Sequence, residues 1–213
     1  KEQVWLAYKK VKANQGSAGV DQISMEEFDA QRSKHLYKLW NRLASGSYFP
    51  PPVKEVEIPK KDGKVRKLGI PTIADRVAQM VVKEYLEARF EKIFSPNSYG
   101  YRPDRNAHQA LEKVRQNCRK TDWVIDLDIK GFFDNIDHER LMLAVQKHVP
   151  EKWCLLYIQR WLTMPVQTKS GELIQKQGKG TPQGGVISPL LANLFLHYAM
   201  DKWLEQNHPN VEN

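Results

Sequence analysis

The stretch Trp123-Val124-Ile125-Asp126-Leu127-Asp128-Ile129-Lys130 alternates apolar and acidic side chains, the period of two that belongs to a β-strand. Ile125, Leu127 and Ile129 then share one face, and Asp126 and Asp128 the other. The apolar face is expected to pack on helices. The opposite face carries two carboxylates. A carboxylate taken out of water needs a cation or a metal ion; otherwise it stays solvated. The alternation alone leaves those choices open.

Working outward, helices are expected over Asp137–Val149 and Pro150–Leu162, then a hairpin over Gln167–Gln177 about Ser170-Gly171. The glycine-rich Gly178–Gly185 leads to Ser188-Pro189, cap and first position of a last helix through about Gln206. Towards the N-terminus, Asn106 caps a helix containing Leu111, Val114 and Cys118. Ser95–Arg105 is an irregular loop, and Thr72 caps a long helix reaching Phe94. Val56 and Ile58 alternate with charges after Pro50-Pro51-Pro52, and Asp62-Gly63 turns the chain into a return strand over Val65–Ile70. Ser24-Met25-Glu26-Glu27 is a capping-box sequence opening one helix that ends near Gly46. Val4, Leu6, Tyr8 and Val11 mark a first helix that fails at Asn14. The loop Asn14–Gly19 follows, with two glycines that allow close backbone approach. Strands and helices mix without βαβ alternation, so the expected class is α+β.

The 213 residues, 41% hydrophobic and 27% charged, suit a globular chain able to bury a core without disulfides. Cys118 and Cys154 are too far apart for a C-x-x-C metal pair, and are expected as reduced core thiols. With no transmembrane stretch or signal peptide in the sequence, the expected location is cytoplasmic, or an organellar matrix, with no membrane partner. The net charge of +8 points to a polyanionic partner. Six cations against three acids lie between Lys54 and Lys67, on a hairpin that suits either a solvated edge or phosphate contact. Tyr99-Gly100-Tyr101-Arg102-Pro103-Asp104-Arg105 interleaves rings with cations, as stacking and phosphate pairing require. Gly184 and Gly185 precede a helix N-terminus, which suits a phosphate or a tight turn; no G-K-[ST] makes it a Walker loop.

Taken in order, these segments resemble the reverse transcriptase domain of group II intron-encoded proteins. Asn14–Asp21 resembles the family's N-terminal loop, Lys67–Arg76 its first block and Ser98–Pro103 its second. Asp128–His138 resembles the third and Gly180–Asn193 the fourth. The Asn14–Asp21 loop and the run Gly131–His138 favour this type over the reverse transcriptases of retrons, diversity-generating elements or CRISPR arrays. The resemblance implies the fingers and partial palm of a right-hand polymerase, with an antiparallel palm sheet packed on helices. Residues 1–120 would hold the N-terminal extension and fingers, and 121–213 the partial palm, with a fingers-side return near 163–185.

The same resemblance implies nucleotidyl transfer with two metal ions roughly 4 Å apart, Mg²⁺ with Mn²⁺ as the alternative. Asp128 matches the catalytic metal-binding aspartate, the Ile129 carbonyl a further ligand, and Asp126 a supporting group behind them. Lys60 and Arg66 match the cations on the triphosphate, Phe133 the aromatic beneath the incoming sugar, and Gln183 the glutamine beside that sugar. RNA contacts are expected at Lys9, Lys10, Lys12, Asn14, Gln15, Gly16, Ala18, Gly19, Arg102 and Arg105. The partners implied are template or intron RNA, a DNA primer and dNTP. The alternative reading is an RNA-binding maturase module that holds intron RNA in its splicing shape. The family's Tyr-x-Asp-Asp turn does not occur between Asp201 and Asn213. The expectation is therefore a chain truncated before that hairpin, inactive alone, and forming a homodimer or self-associating through an exposed palm edge.

Overall fold

In a computed structural model of the chain, the residues described are 1–59, 63, 65–120, 123–175, 177–182 and 184–208. Helix α1 (Glu2–Asn14) buries Val4, Ala7, Tyr8 and Val11, one stripe at i, i+3, i+4 and i+7. The Ser24 capping box forms: Ser24 Oγ accepts from the Glu27 N–H at 3.2 Å, and Glu27 Oε2 from the Ser24 N–H at 2.8 Å. The single helix expected after it is two, α2 (Met25–Ala30) and α3 (Arg32–Ala44), because Gln31 leaves the helical region at φ −116°, ψ 24°.

Strands β1 (Val53–Pro59) and β2 (Val65–Ile70) form the expected hairpin, in antiparallel register from Lys54↔Ile70 to Pro59↔Val65. Asp62 of its turn lies outside the described residues. Thr72 Oγ1 accepts from the Asp75 N–H at 3.2 Å and starts α4 (Ile73–Phe90). That helix stops four residues short of the expected Phe94, where the Phe94 N–H closes a last turn onto the Phe90 carbonyl. α5 (Ala107–Asn117), a short α6 (Phe132–Asn135), α7 (His138–His148) and α8 (Lys152–Thr163) follow. After β3 (Val166–Gln167) and β4 (Leu173–Ile174) come α9 (Ser188–Leu196), a π-helical turn at His197–Asp201 and α10 (Lys202–Asn207).

The sheet is mixed, ordered β2-β1-β3-β4, with β3 parallel to β1 at Val53↔Val166. The class is α+β as expected, with the sheet joined to a helical core. α4 runs through the middle of that core: Val77, Ala78, Val82, Leu86 and Phe90 are fully buried, alongside Leu141, Val145, Ile158 and Leu194. Each of the larger of these side chains contributes about 1.5–3 kcal/mol through burial.

Three expectations fail, for one reason. Residues 123–129 form no strand among the described residues, and Ile125, Leu127 and Ile129 are 79%, 70% and 50% exposed. A period of two reports which face prefers water. It does not supply a partner, and without a neighbouring ladder the apolar face has nothing to cover it. The antiparallel palm sheet is thus not seen among the described residues; the sheet that is seen belongs to the hairpin and to its return. α5 is likewise held by its cap, Asn106 with Gln109, yet buries no side chain. Cys118, at its end, is exposed instead of lying in the core. Cys154 is buried as expected, and burial pushes its thiol up to about 12, which makes it unreactive.

Candidate functional site

The third and fourth sequence blocks, far apart in the chain, are zipped together by their backbones. The Gly180 N–H donates to the Ile136 carbonyl and the Thr181 N–H to that of Phe133, both at 2.7 Å; the His138 N–H reaches the Gly178 carbonyl at 3.0 Å. Buried His138 closes the same seam, its Nε2 donating to the Gly180 carbonyl at 2.7 Å. Gly180 is required here: its φ is +83°, and a Cβ would lie 2.8 Å from the Asp134 carbonyl oxygen.

Beyond the seam, the loop turns against the β1–β2 hairpin. Gly184, at φ +107°, sits so close to the end of β2 that a Cβ would meet the Gly69 carbonyl oxygen at 2.5 Å. Ser188 Oγ donates to the Pro182 carbonyl at 2.9 Å. Gln79 Oε1 accepts from the Ile187 N–H at 3.3 Å. The second block joins through Asn193, whose Nδ2 donates to the Gly100 carbonyl at 2.7 Å. The first and third blocks thus meet at the loop that holds Pro182 and Gly184, and the second is joined to α9, the helix that follows it. Phe133, half-buried, meets Phe132 edge-on at 5.7 Å and is fixed to this loop through its carbonyl. Such an arrangement can hold a flat ligand in one orientation. Gln183 and Lys60 lie outside the described residues. Arg66 is exposed on β2, opposite Ile58.

Sequence reasoning missed the group behind this loop. Asp75 is fully buried, and its Oδ1 accepts from the Tyr48 hydroxyl at 2.7 Å and from Trp161 Nε1 at 2.8 Å. Its Oδ2 accepts from Gln79 Nε2 at 2.8 Å. Burial raises the Asp75 pKa, against the pull of these donors. The legible signal is spacing: Asp75 and Gln79 are polar residues one turn apart on a helix otherwise apolar on that side.

Asp126 and Asp128 are both exposed and make no hydrogen bond or ion pair with a described residue. Among the described residues, no three His, Cys, Asp or Glu side chains are gathered to hold a metal. Asp128 and the Ile129 carbonyl fit Mg²⁺ only as a minority of its ligands, with water and substrate phosphate supplying the others.

The cations expected on RNA divide. Lys9, Lys10 and Lys12 are exposed; Lys10 pairs with Glu84 at 2.6 Å and Lys12 with Asp29 at 2.8 Å. Asn14, Gln15 and Gly16 are exposed and Ala18 is half-buried. Gly19 is buried, its backbone pressed on Thr72, where a Cβ would lie 2.7 Å from the Thr72 nitrogen, so it supports the loop from beneath. Arg105 stacks over Tyr99 at 5.2 Å. Arg102 requires correction as a free cation. Its guanidinium is buried and fully engaged, donating to both Glu91 oxygens and to the Ser95 and Ser98 carbonyls at 2.6 and 2.8 Å. It locks the loop and presents no charge to solvent.

Several known proteins are similar to this chain. A family model described as reverse transcriptase (RNA-dependent DNA polymerase) matches residues 58–212. The chain is 36% identical over 207 residues to the group II intron-encoded protein LtrA of Lactococcus lactis subsp. cremoris, covering 95% of this chain and 33% of that protein. It is 35% identical over 195 residues to protein YkfC of Escherichia coli (strain K12), covering 89% of this chain and 50% of that one. The chain thus spans a third to a half of these relatives. Among solved structures, a chain of a partial Cas6-RT-Cas1–Cas2 complex superposes with a TM-score of 0.62 at 23% identity, over 96% of this chain and 34% of that chain. At that identity, the likeness is one of fold.

Proposed function

Because the chain belongs to the reverse transcriptase (RNA-dependent DNA polymerase) family, as the N-terminal reverse transcriptase region of the group II intron-encoded type, we propose that it supplies the fingers and part of the palm for RNA-templated DNA synthesis. The observation that carries this reading is the convergence of the first and third blocks on the Gly180–Ser188 loop, with the second block joined to the helix that follows it. In the whole protein, Lys60 and Arg66 clamp the dNTP triphosphate, the lysine as a point charge and the arginine as a planar fork. Phe133 lies beneath the sugar and excludes a 2′-hydroxyl, with Gln183 beside it. Asp128 and the Ile129 carbonyl would hold Mg²⁺, which would supply Lewis-acid activation of the primer 3′-hydroxyl and offset phosphate charge; Asp126 would support them. The exposed segment 123–129, which has strand alternation but no ladder among the described residues, is where a further strand of the whole protein would pair.

With Asp128 the one carboxylate assigned to the metal, the isolated chain is expected to bind RNA without extending a primer. Incubating it with poly(rA)·oligo(dT), dTTP and Mg²⁺ tests this. Sustained synthesis by these 213 residues would overturn the assignment of an incomplete catalytic set.

A second reading, RNA retention as in a maturase, is favoured by the exposed Lys9, Lys10 and Lys12 beside the Asn14–Gly19 loop. Changing all three to alanine should weaken RNA binding and lower the slope of log K against log salt by about 2–3, near 0.7–0.9 for each phosphate that is no longer neutralised. An unchanged slope would place the RNA elsewhere.

A further inference from the structure

The loop proposed to meet RNA is not a free arm. Arg76, in the first turn of α4 and only 7% exposed, reaches out of the core and donates to three carbonyls. Nε bonds the Pro71 oxygen at 3.1 Å, Nη1 the Gln15 oxygen at 3.2 Å, and Nη2 the Ser17 oxygen. Two of those carbonyls lie in the loop and the third at the end of β2. Both glycines answer this arrangement. Gly16, at φ +102°, passes so near that a Cβ would lie 2.8 Å from Arg76 Nη1, while Gly19 rests on the Thr72 backbone.

We infer that Arg76 is a positioning residue for RNA binding: it sets the shape in which Asn14, Gln15 and Ala18 meet the ligand, and ties that shape to the fingers hairpin. The inference rests on the proposal that this loop contacts RNA. Arg76 itself, sealed beneath the loop, touches no phosphate. A lysine cannot span three carbonyls, because one ammonium replaces a planar fork. Its nearest neighbour in sequence, Asp75, faces the opposite way, into the Tyr48–Trp161–Gln79 cluster, so the two residues hold different sides of the same helix start.

The test measures affinity of the full-length protein for poly(rA)·oligo(dT) across a salt series. Arg76→Lys is expected to weaken binding about tenfold, as the loss of a charge-assisted hydrogen bond would, with the salt slope unchanged. A slope reduced by about one would mean that Arg76 touches a phosphate itself, and would overturn the positioning role. Gly16→Ala disturbs the same junction from the loop side, at an exposed position, and should weaken binding comparably. Because both changes act on one junction, the double variant should lose little more than the worse single; additive losses overturn the inference. Should Arg76→Lys fail to fold, Gly16→Ala decides alone, wild-type affinity counting against the proposal. Asn14→Ala with Gln15→Ala separates the two levels. If that pair has no effect, the loop does not meet RNA and both ideas fall. If it weakens binding while Arg76→Lys and Gly16→Ala do not, only the positioning role is lost.

Discussion

Asp128→Ala in the full-length protein is expected to lower primer extension by roughly 10²–10³, the scale on which loss of one charge-stabilising group slows catalysis, while RNA affinity stays within about twofold. The asymmetry follows from where the residue stands. Asp128 is exposed and makes no hydrogen bond or ion pair with a described residue, so its removal breaks no such contact in the fold and takes away no cation. What disappears is a carboxylate for a divalent ion that already depends on few protein ligands. Single-turnover dTTP incorporation on poly(rA)·oligo(dT), with filter binding beside it, reads both quantities. Synthesis at near wild-type rate would remove Asp128 from the chemistry; a parallel loss of binding would show that the substitution had acted through structure.

The second large effect is on stability. Asp75→Ala orphans the Tyr48 hydroxyl, the Trp161 indole N–H and the Gln79 amide inside the core, and should cost about 3–5 kcal/mol. Set against a total of roughly 5–15 kcal/mol for a typical domain, that amounts to a fall of about 6–20 °C in melting temperature. Asp75→Asn is the sharper test. Its remaining oxygen still serves Tyr48 and Trp161, but its new NH₂ meets that of Gln79. If Gln79 turns over to accept, it presents NH₂ to the Ile187 N–H instead. Either way, one donor pair is left facing each other, at a cost of about 1–3 kcal/mol, and the loss should be felt first at the Gly184–Ser188 turn by hydrogen exchange. Urea denaturation of both variants checks the ranking. A cost below about 1 kcal/mol for Asp75→Ala would mean that the cluster does not hold the core.

How far the chain could be read in advance depended on whether the deciding interaction was local. The caps at Ser24, Thr72 and Asn106 act within three residues, and each makes the expected hydrogen bond. The hairpin's strands follow from alternation around a turn, and Gly16 and Gly19 from the need for close approach, although the sequence did not say that Arg76 and Thr72 would be the neighbours. Pairing across the chain was not legible. Trp123–Ile129 has strand alternation but no described ladder. Arg102 has the composition of an RNA contact, yet Glu91, one loop earlier, claims its guanidinium. The order of motifs pointed to the Gly180–Ser188 loop, but the Asp75–Gln79 brace behind it joins two helices and two loop segments and has only a helical spacing to betray it.

The join between β1 and β3 also bears on how the protein is made. Lys169 and Glu57, paired at 3.0 Å across this sheet, lie 112 residues apart in the chain. At a synthesis rate of about 5–20 residues per second, the hairpin leaves the ribosome roughly 5–20 s before the segment that covers its second edge. Through that interval the nascent β1 has one side without a neighbour, and long-range pairings of this kind are the slow ones to form. Lys54 and Glu57, charged residues on β1, are suited to guard that waiting edge against pairing with another nascent chain.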